Sequence, residues 1–283
     1  MNEIKLKSYA KINLCLNVIR RLPNNYHQIS SLIQRVQLYD EVHVKKNEKT
    51  ITVRTNIDEL NDEIDTNTAL RAAKYYFKYT NICSGADILI IKHIPHMAGL
   101  GGSSSNAAAV INALDRLYNT KLTYDEKMSI GIRIGCDVPF FFGSATSVIA
   151  GTGEHITQKN ELRGYHVLII KPSFGISTKE AYKSLDPKQL HMNCNADNLY
   201  EAYAQKNYDI IKEYTHNTFE RFIGQREYVC TIKNELLKYN AITALMSGSG
   251  SCVFGIFASE EKCNKAYNNL KKKYGKIYQT IFG

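Results

Sequence analysis

The chain has 283 residues, 44% of them hydrophobic, and carries 36 Lys and Arg against 27 Asp and Glu for a net charge of +9. This length accommodates two domains of ordinary size with a substantial core, and the composition excludes a disordered chain. Lys5, Lys7, Lys11 and Asn13 make the N-terminus too polar for a secretory signal, and no apolar run reaches the ~20 residues of a membrane helix, so a cytoplasmic location without a membrane partner is expected.

The seven cysteines are dispersed, odd in number and without a C-x-x-C pair, which predicts free thiols in a reducing compartment and no zinc site. The basic residues are scattered. The one dense run, Lys271-Lys272-Lys273, falls at the end of a predicted helix, where cations suit the dipole, and reads as a solvated face rather than a nucleic-acid patch.

In chain order, Ile4, Leu6, Ile12, Leu14, Leu16 and Val18 share one parity and predict a strand over residues 4–18. Lys11 and Asn13 lie on its other face, pointing the same way about 6–7 Å apart; that face either meets water or lines a site. Further strands are predicted near 34–46 and 50–55. Ala69, Ala72, Ala73, Tyr76 and Phe77 form one stripe of a helix over 68–79, followed by a strand over 86–92 in which Ile88–Ile91 reads as buried.

Pro95-His96-Met97-Ala98-Gly99-Leu100-Gly101-Gly102-Ser103-Ser104-Ser105 then joins that strand to a helix over 104–118, marked by Ala107, Val110, Ile111, Leu114 and Tyr118. The glycines permit positive φ and close approach of backbone to a ligand, the serines offer hydroxyls or a helix cap, and the helix N-terminus adds partial positive charge. The loop reads either as a phosphate cradle or as a plain strand-to-helix turn. It lacks the Gly-Lys-Ser/Thr of a Walker loop, and Ser104 breaks the G-x-G-x-x-G dinucleotide pattern.

Thr123 and Glu126 form a capping-box signature for a helix running to about Ile134. Asp137, in Gly135-Cys-Asp-Val-Pro-Phe-Phe-Phe-Gly143, stands among apolar residues and is expected to be partly desolvated; it either performs catalysis or caps the turn before Pro139. A short strand over 145–150 follows. Beyond residue 160 come a strand at 167–170, a helical insertion at about 178–221, a helix at 226–239, strands at 241–246 and 252–257, a helix at 260–273 and a strand at 276–282. With the insertion set aside this is the β-α-β-β-α-β order of a ferredoxin-like domain. Met246-Ser-Gly-Ser-Gly-Ser-Cys252 makes either a second anion cradle or a hairpin turn.

Together these segments resemble the GHMP kinases. The 95–108 loop is similar to their P-x-x-x-G-L-G-S-S-A-A motif. Ala10-Lys-Ile-Asn-Leu14, Gly135-Cys-Asp-Val-Pro-Phe140, Gly151-Thr-Gly-Glu154 and Met246-Ser-Gly-Ser-Gly250 resemble further motifs in the same order. Tyr26-His27, with Leu38-Tyr-Asp-Glu41, looks like the cytidine-side signature of the branch serving the non-mevalonate isoprenoid route. The resemblance implies an α+β, two-domain fold: a ribosomal-protein-like α/β domain over 1–158, and a ferredoxin-like domain with a helical insertion over 159–283.

It also implies ATP-dependent phosphorylation of the 2-hydroxyl of a cytidine-diphosphate conjugate of methylerythritol, with Mg²⁺ held near Ser104 or Ser105. By the same resemblance, Asp137 is the general base, and Lys11 lies between it, the hydroxyl and the γ-phosphate. Residues Pro95 to Ser105 hold the ATP phosphates, Tyr26 and Tyr182 sandwich the cytosine, His27 bonds its edge, and Asn13 binds the erythritol end. The partner is a small molecule rather than a nucleic acid, and the expected state is a monomer or weak homodimer. Sister kinases acting on mevalonate, phosphomevalonate or homoserine are disfavoured by Tyr26-His27, since those substrates carry no base to stack. Three positions depart from the pattern: Asn24-Asn25 replaces Asp-Gly before Tyr26, Ser103 replaces a third loop glycine, and Asn217-Thr-Phe-Glu220 lacks the usual Asp.

Overall fold

The computed structural model describes residues 2–61, 67–190 and 195–283. The strands are β1 (Glu3–Arg21), β2 (His27–Asn47), β3 (Ile51–Thr55), β4 (Gly85–Ile91), β5 (Thr146–Gly151), β6 (His155–Lys159), β7 (His166–Ile170), β8 (Thr243–Met246), β9 (Val253–Phe257) and β10 (Ile277–Ile281). The helices are α1 (Thr68–Thr80), α2 (Gly102–Tyr118), α3 (Tyr124–Ile132), α4 (Thr178–Lys183), α5 (Ala196–Ala204), α6 (Tyr208–Tyr214), α7 (Arg226–Lys238) and α8 (Glu260–Tyr274).

They form two compact units that interleave along the chain. The first comprises residues 1–10, 39–94 and 101–143, and the second 11–38, 95–100 and 144–283. Chain order alone suggests a division near 158. The compact units divide differently because β1 and β2 are long enough for each to contribute one half to either unit.

In the first unit β3 pairs parallel with β4, which pairs antiparallel with the later half of β2, Glu41 opposite Ile91 and Asn47 opposite Gly85. The expected buried run at 88–91 alternates instead: Ile88 and Ile90 are buried and Leu89 is exposed, as in a sheet with one solvated face. Helices α1 and α2 pack together. Phe77 and Tyr118 meet edge to face at 5.4 Å between ring centres, and the Tyr76 hydroxyl donates to the Leu114 carbonyl at 3.1 Å. Asn67 caps α1. Thr123 and Glu126 complete the expected capping box on α3.

In the second unit the earlier half of β2 pairs with β5, and β5 with β6. The β6 segment HITQK is short and mostly polar, so it carries no strand signal in the sequence. A separate antiparallel sheet has the order β10-β7-β9-β8, with α7 between β7 and β8 and α8 between β9 and β10. That is the ferredoxin-like arrangement expected from the element order. Its core joins Leu168, Ile170, Val229, Ile232, Leu236, Val253, Phe257, Ala266 and Leu270. The insertion supplies α4, α5 and α6; residues 191–194, including Cys194, lie outside the described residues. None of the six described cysteines is in a disulfide, and among the described residues no helix is long and apolar enough to cross a membrane.

Two measurements test this packing. The capping box predicts that Thr123→Ala costs about 1 kcal/mol in chemical denaturation. In the second unit, burial, with Arg221 and Lys233 nearby, depresses the His216 pKa from 6.5 to about 4. As pH falls from 6.5 towards 4 the unfolded chain takes this proton and the folded chain does not, so stability declines over that window. Allowing for partial exposure, wild type should lose of the order of 2 kcal/mol more than His216→Gln between pH 7 and pH 4. Parallel pH curves for the two proteins would contradict this.

Candidate active site

The glycine-serine loop starts a helix without a side-chain cap. Gly101 is the N-cap of α2, at φ 69°, and α2 begins at Gly102. None of the three serines is the cap the sequence allowed for, because all lie inside the first turn. Ser105 N donates to the Gly101 carbonyl at 2.9 Å. The N–H groups ahead of it, which no intrahelical acceptor can reach, point out of the helix start as an anion site requires. Gly99 at φ 73° and Met97 at φ 49° also take left-handed geometry. Ala98 and Leu100 are buried and anchor the loop, while His96 and Met97 are exposed.

The serines are not equivalent. Ser103 is exposed and its carbonyl accepts from Thr68 Oγ1 at 2.9 Å. Ser104 is half-buried. Ser105 is buried, and its Oγ accepts from Ser8 Oγ at 2.7 Å. Among the described residues no cluster of three His, Cys, Asp or Glu side chains could hold a metal.

Lys11 and Asn13 do not face water: they are 4% and 3% exposed. Residues 10–18 of β1 are buried on both faces, which the alternation of the sequence could not reveal. Lys11 Nζ donates to Asn13 Oδ1 at 2.6 Å, Asn13 Nδ2 donates to Ser31 Oγ at 2.8 Å, and Ser31 Oγ donates to the Cys15 carbonyl at 2.6 Å. Each donor in this chain fixes the next acceptor, so the Asn13 amide has one orientation. Lys11 N also donates to the Leu100 carbonyl at 2.9 Å, tying β1 to the glycine loop.

The second glycine loop braces the first. Ser247 Oγ donates to the Gly99 carbonyl at 2.9 Å, and Cys252 N donates to the Ala98 carbonyl at 3.1 Å. A Cβ on Gly99 would lie 2.0 Å from the Ser247 carbonyl oxygen, and one on Gly248 would lie 3.5 Å from Asn13 Oδ1. The residues that hold this brace were not singled out by sequence as site residues. Asn217 Nδ2 donates to the carbonyls of Met246 (2.7 Å) and Gly248 (2.8 Å), and Glu220 Oε1 accepts from Met246 N at 2.6 Å. The asparagine and glutamate ends of that motif therefore do the holding.

On the cytidine-side signature, the His27 ring stacks on Tyr182 at 4.8 Å between centres, and Tyr182 meets Phe219 edge to face at 5.0 Å. Burial and then Arg21 lower the His27 pKa, which keeps the ring neutral and able to both donate and accept. Tyr26 is 58% exposed. The turn before it survives the loss of glycine, because Asn25 takes φ 66° and Asn24 Oδ1 accepts from Tyr26 N at 3.1 Å.

One expectation needs correction. Asp137 is exposed rather than desolvated. Val138, Pro139, Phe140 and Phe141 turn inward through a 3-10 turn at Pro139–Phe142, so neighbours in sequence are not neighbours of its carboxylate. Asp40, in the Leu38–Glu41 part of the signature, is buried and accepts from the backbone N–H groups of His93 and Ile94 just before the glycine loop.

Comparison with known proteins follows this geometry. The family described as GHMP kinases N terminal domain matches residues 67–145, and that described as GHMP kinases C terminal matches 225–276. The 4-diphosphocytidyl-2-C-methyl-D-erythritol kinase of Clostridium novyi is 34% identical over 97% of this chain and 98% of its own. That of Alkaliphilus oremlandii is 36% identical over 99% and 97%. A crystal structure of 4-(cytidine 5'-diphospho)-2C-methyl-D-erythritol kinase superposes with a TM-score of 0.83 at 26% identity, covering 99% of this chain and all (100%) of that one. Homoserine kinase from Cytophaga hutchinsonii, at 19% identity over 100% of this chain and 95% of its own with a TM-score of 0.78, shares the fold.

The brace predicts that Gly99→Ala, forced to shift against the Ser247 backbone, lowers kcat/KM for ATP about 10²-fold. Gly224→Ala, with open space around it, is the control and should stay near wild type. Equal activity of the two variants would remove the brace from function.

Proposed function

Because the chain belongs to the 4-diphosphocytidyl-2-C-methyl-D-erythritol kinases, a branch of the GHMP kinases, we propose that it transfers the γ-phosphoryl group of ATP to the 2-hydroxyl of 4-diphosphocytidyl-2-C-methyl-D-erythritol. The observation that carries this reading furthest is the α2 N-terminus, capped only by the backbone of Gly101 and entered through a left-handed glycine loop. Such a start leaves N–H donors for phosphate oxygens, and phosphoryl transfer depends mostly on positioning and electrostatic stabilisation.

In this reading residues 95–105 hold the ATP phosphates. Mg²⁺, when bound, would offset the charge of the ATP phosphates. A serine hydroxyl is a suitable hard donor for it, and Ser104 fits better than Ser105, whose Oγ already accepts from Ser8. Asp137, exposed to solvent, takes the proton of the attacking hydroxyl. Lys11 offsets the negative charge developing on the transferred group, and Asn13, oriented by Ser31, holds the erythritol end. Tyr26 stacks on the cytosine and His27, neutral and backed by Tyr182, bonds its edge.

The stack of His27 on Tyr182 supports Tyr182 as a support for His27 more directly than as the second slice of a sandwich. Residues 1–158 carry the ATP loop, Lys11 and Asp137, and 159–283 the ferredoxin-like half. The protein acts in the cytoplasm on a small molecule, as a monomer or weak homodimer, with neither nucleic acid nor membrane as partner.

Three expected outcomes follow from these roles. Asp137→Asn should keep ATP affinity and lose kcat by about 10²-fold or more; a near-normal rate would remove Asp137 as the base. Tyr26→Ala should raise KM for the cytidylated substrate and leave kcat nearly unchanged, as loss of uniform binding does. CDP should compete with that substrate, and indifference to cytidine nucleotides would favour a sister kinase acting on a substrate without a base.

A further inference from the structure

Asp40 lies in β2 and is fully buried. Its Oδ1 accepts from the backbone N–H of His93 at 2.7 Å and of Ile94 at 2.8 Å. Its Oδ2 accepts from Asn106 Nδ2 at 3.0 Å and from the Lys92 ammonium. His93 and Ile94 are the last residues before Pro95, where the glycine loop begins, and Asn106 follows its three serines on α2. One carboxylate therefore grips the chain on both sides of the loop.

A buried carboxylate is costly unless its oxygens are satisfied by donors, and here all four bonds go to residues flanking a single functional segment. The Lys92 ammonium is carried with it: a Cβ on Gly102, the first residue of α2, would lie 3.4 Å from Lys92 Nζ. Asn106 Oδ1 is buried without a hydrogen-bond partner, so no donor competes with Asp40 for the orientation of this amide.

We propose that Asp40 is a positioning residue for nucleotide binding. It fixes the span between Ile94 and Asn106 across which the loop donors converge, and it holds the Lys92 ammonium beside the start of α2. This rests on the reading of residues 95–105 as the ATP cradle. A residue needed only for folding would lower stability and leave the folded enzyme's affinity for ATP unchanged.

Asp40→Asn is the near-isosteric test. Its carbonyl still accepts from His93 and Ile94, and its amide can pair with Asn106 Oδ1 once Asn106 flips, so chiefly the ammonium contact is lost. Steady-state kinetics of the full chain should give a KM for ATP raised about tenfold, the scale of one charge-assisted buried bond. The kcat should stay within about threefold and the KM for the cytidylated substrate unchanged. Lys92→Met should raise the ATP KM similarly, and Asp40→Asn should add little in that background, since both remove one contact.

An ATP KM within twofold of wild type in folded Asp40→Asn, with only a lowered Tm, would overturn the proposal. If Asp40→Asn does not fold, Asn106→Ala decides: it severs the tie to α2 without touching Lys92, and a raised ATP KM sustains the proposal while an unchanged one overturns it. Wild-type protein that fails to bind ATP would defeat the cradle itself, a result distinct from an active wild type beside an unaffected Asp40→Asn.

Discussion

A helix that keeps its first N–H groups for a ligand cannot satisfy them from its own sequence. That constraint governs the glycine loop and much of what surrounds it. Of the eight α-helices described, six are capped at the N-terminus by an Asn, Thr or Ser side chain, whereas α2 starts on Gly101 with none. An uncapped, glycine-rich entry is conformationally loose, and its order has to come from other groups. In the first unit Asp40 and the Ser8–Ser105 hydroxyl pair supply it. In the second, Ser247 and Cys252 hold the carbonyls of Gly99 and Ala98. These bonds fix the loop where it meets protein and leave the first N–H groups of α2 without an intrahelical acceptor.

The same logic sets the polar interior of β1. A buried ammonium demands an acceptor, and Lys11 finds one in Asn13, whose own amide is oriented by Ser31. A Cβ on Gly248 would crowd the Gly99 carbonyl at 3.0 Å and meet Asn13 Oδ1 at an ordinary contact distance of 3.5 Å. The turn at 246–250 thus lies against both the first glycine loop and the Lys11 chain, and Asn217 and Glu220 hold that turn by its backbone. At Tyr26-His27 order and exposure are divided differently: His27 is stacked on Tyr182, which Phe219 backs, while Tyr26 is exposed to solvent.

Much of this was legible in the sequence wherever a signal is local. The capping box on α3, the stripe of α1 and the ferredoxin-like order each depend on spacing within one or two elements. The glycine loop and Lys11-x-Asn13 were legible as residue types, but not as environments, because alternation along β1 leaves open whether its polar face meets water, and the fold buries both faces. Asp137 failed in the opposite sense: Val138, Pro139, Phe140 and Phe141, adjacent in sequence, are buried while Asp137 is exposed. Asp40 was invisible as a brace because its partners lie 52 to 66 residues away and two of them are backbone N–H groups, which have no sequence signature. Asn217 was noticed for the aspartate missing beside it rather than for the amide that grips the turn.

The central claim is that the glycine loop and the Tyr26-His27 side serve one reaction, phosphorylation of a cytidylated alcohol by ATP. Its most direct test is ³¹P NMR of the purified protein with Mg-ATP and either 4-diphosphocytidyl-2-C-methyl-D-erythritol or mevalonate. The account predicts ADP together with a new phosphomonoester resonance on the methylerythritol of the cytidylated substrate, and no turnover of mevalonate. Phosphomevalonate formed in one tube and an unchanged diphosphocytidyl spectrum in the other would contradict it.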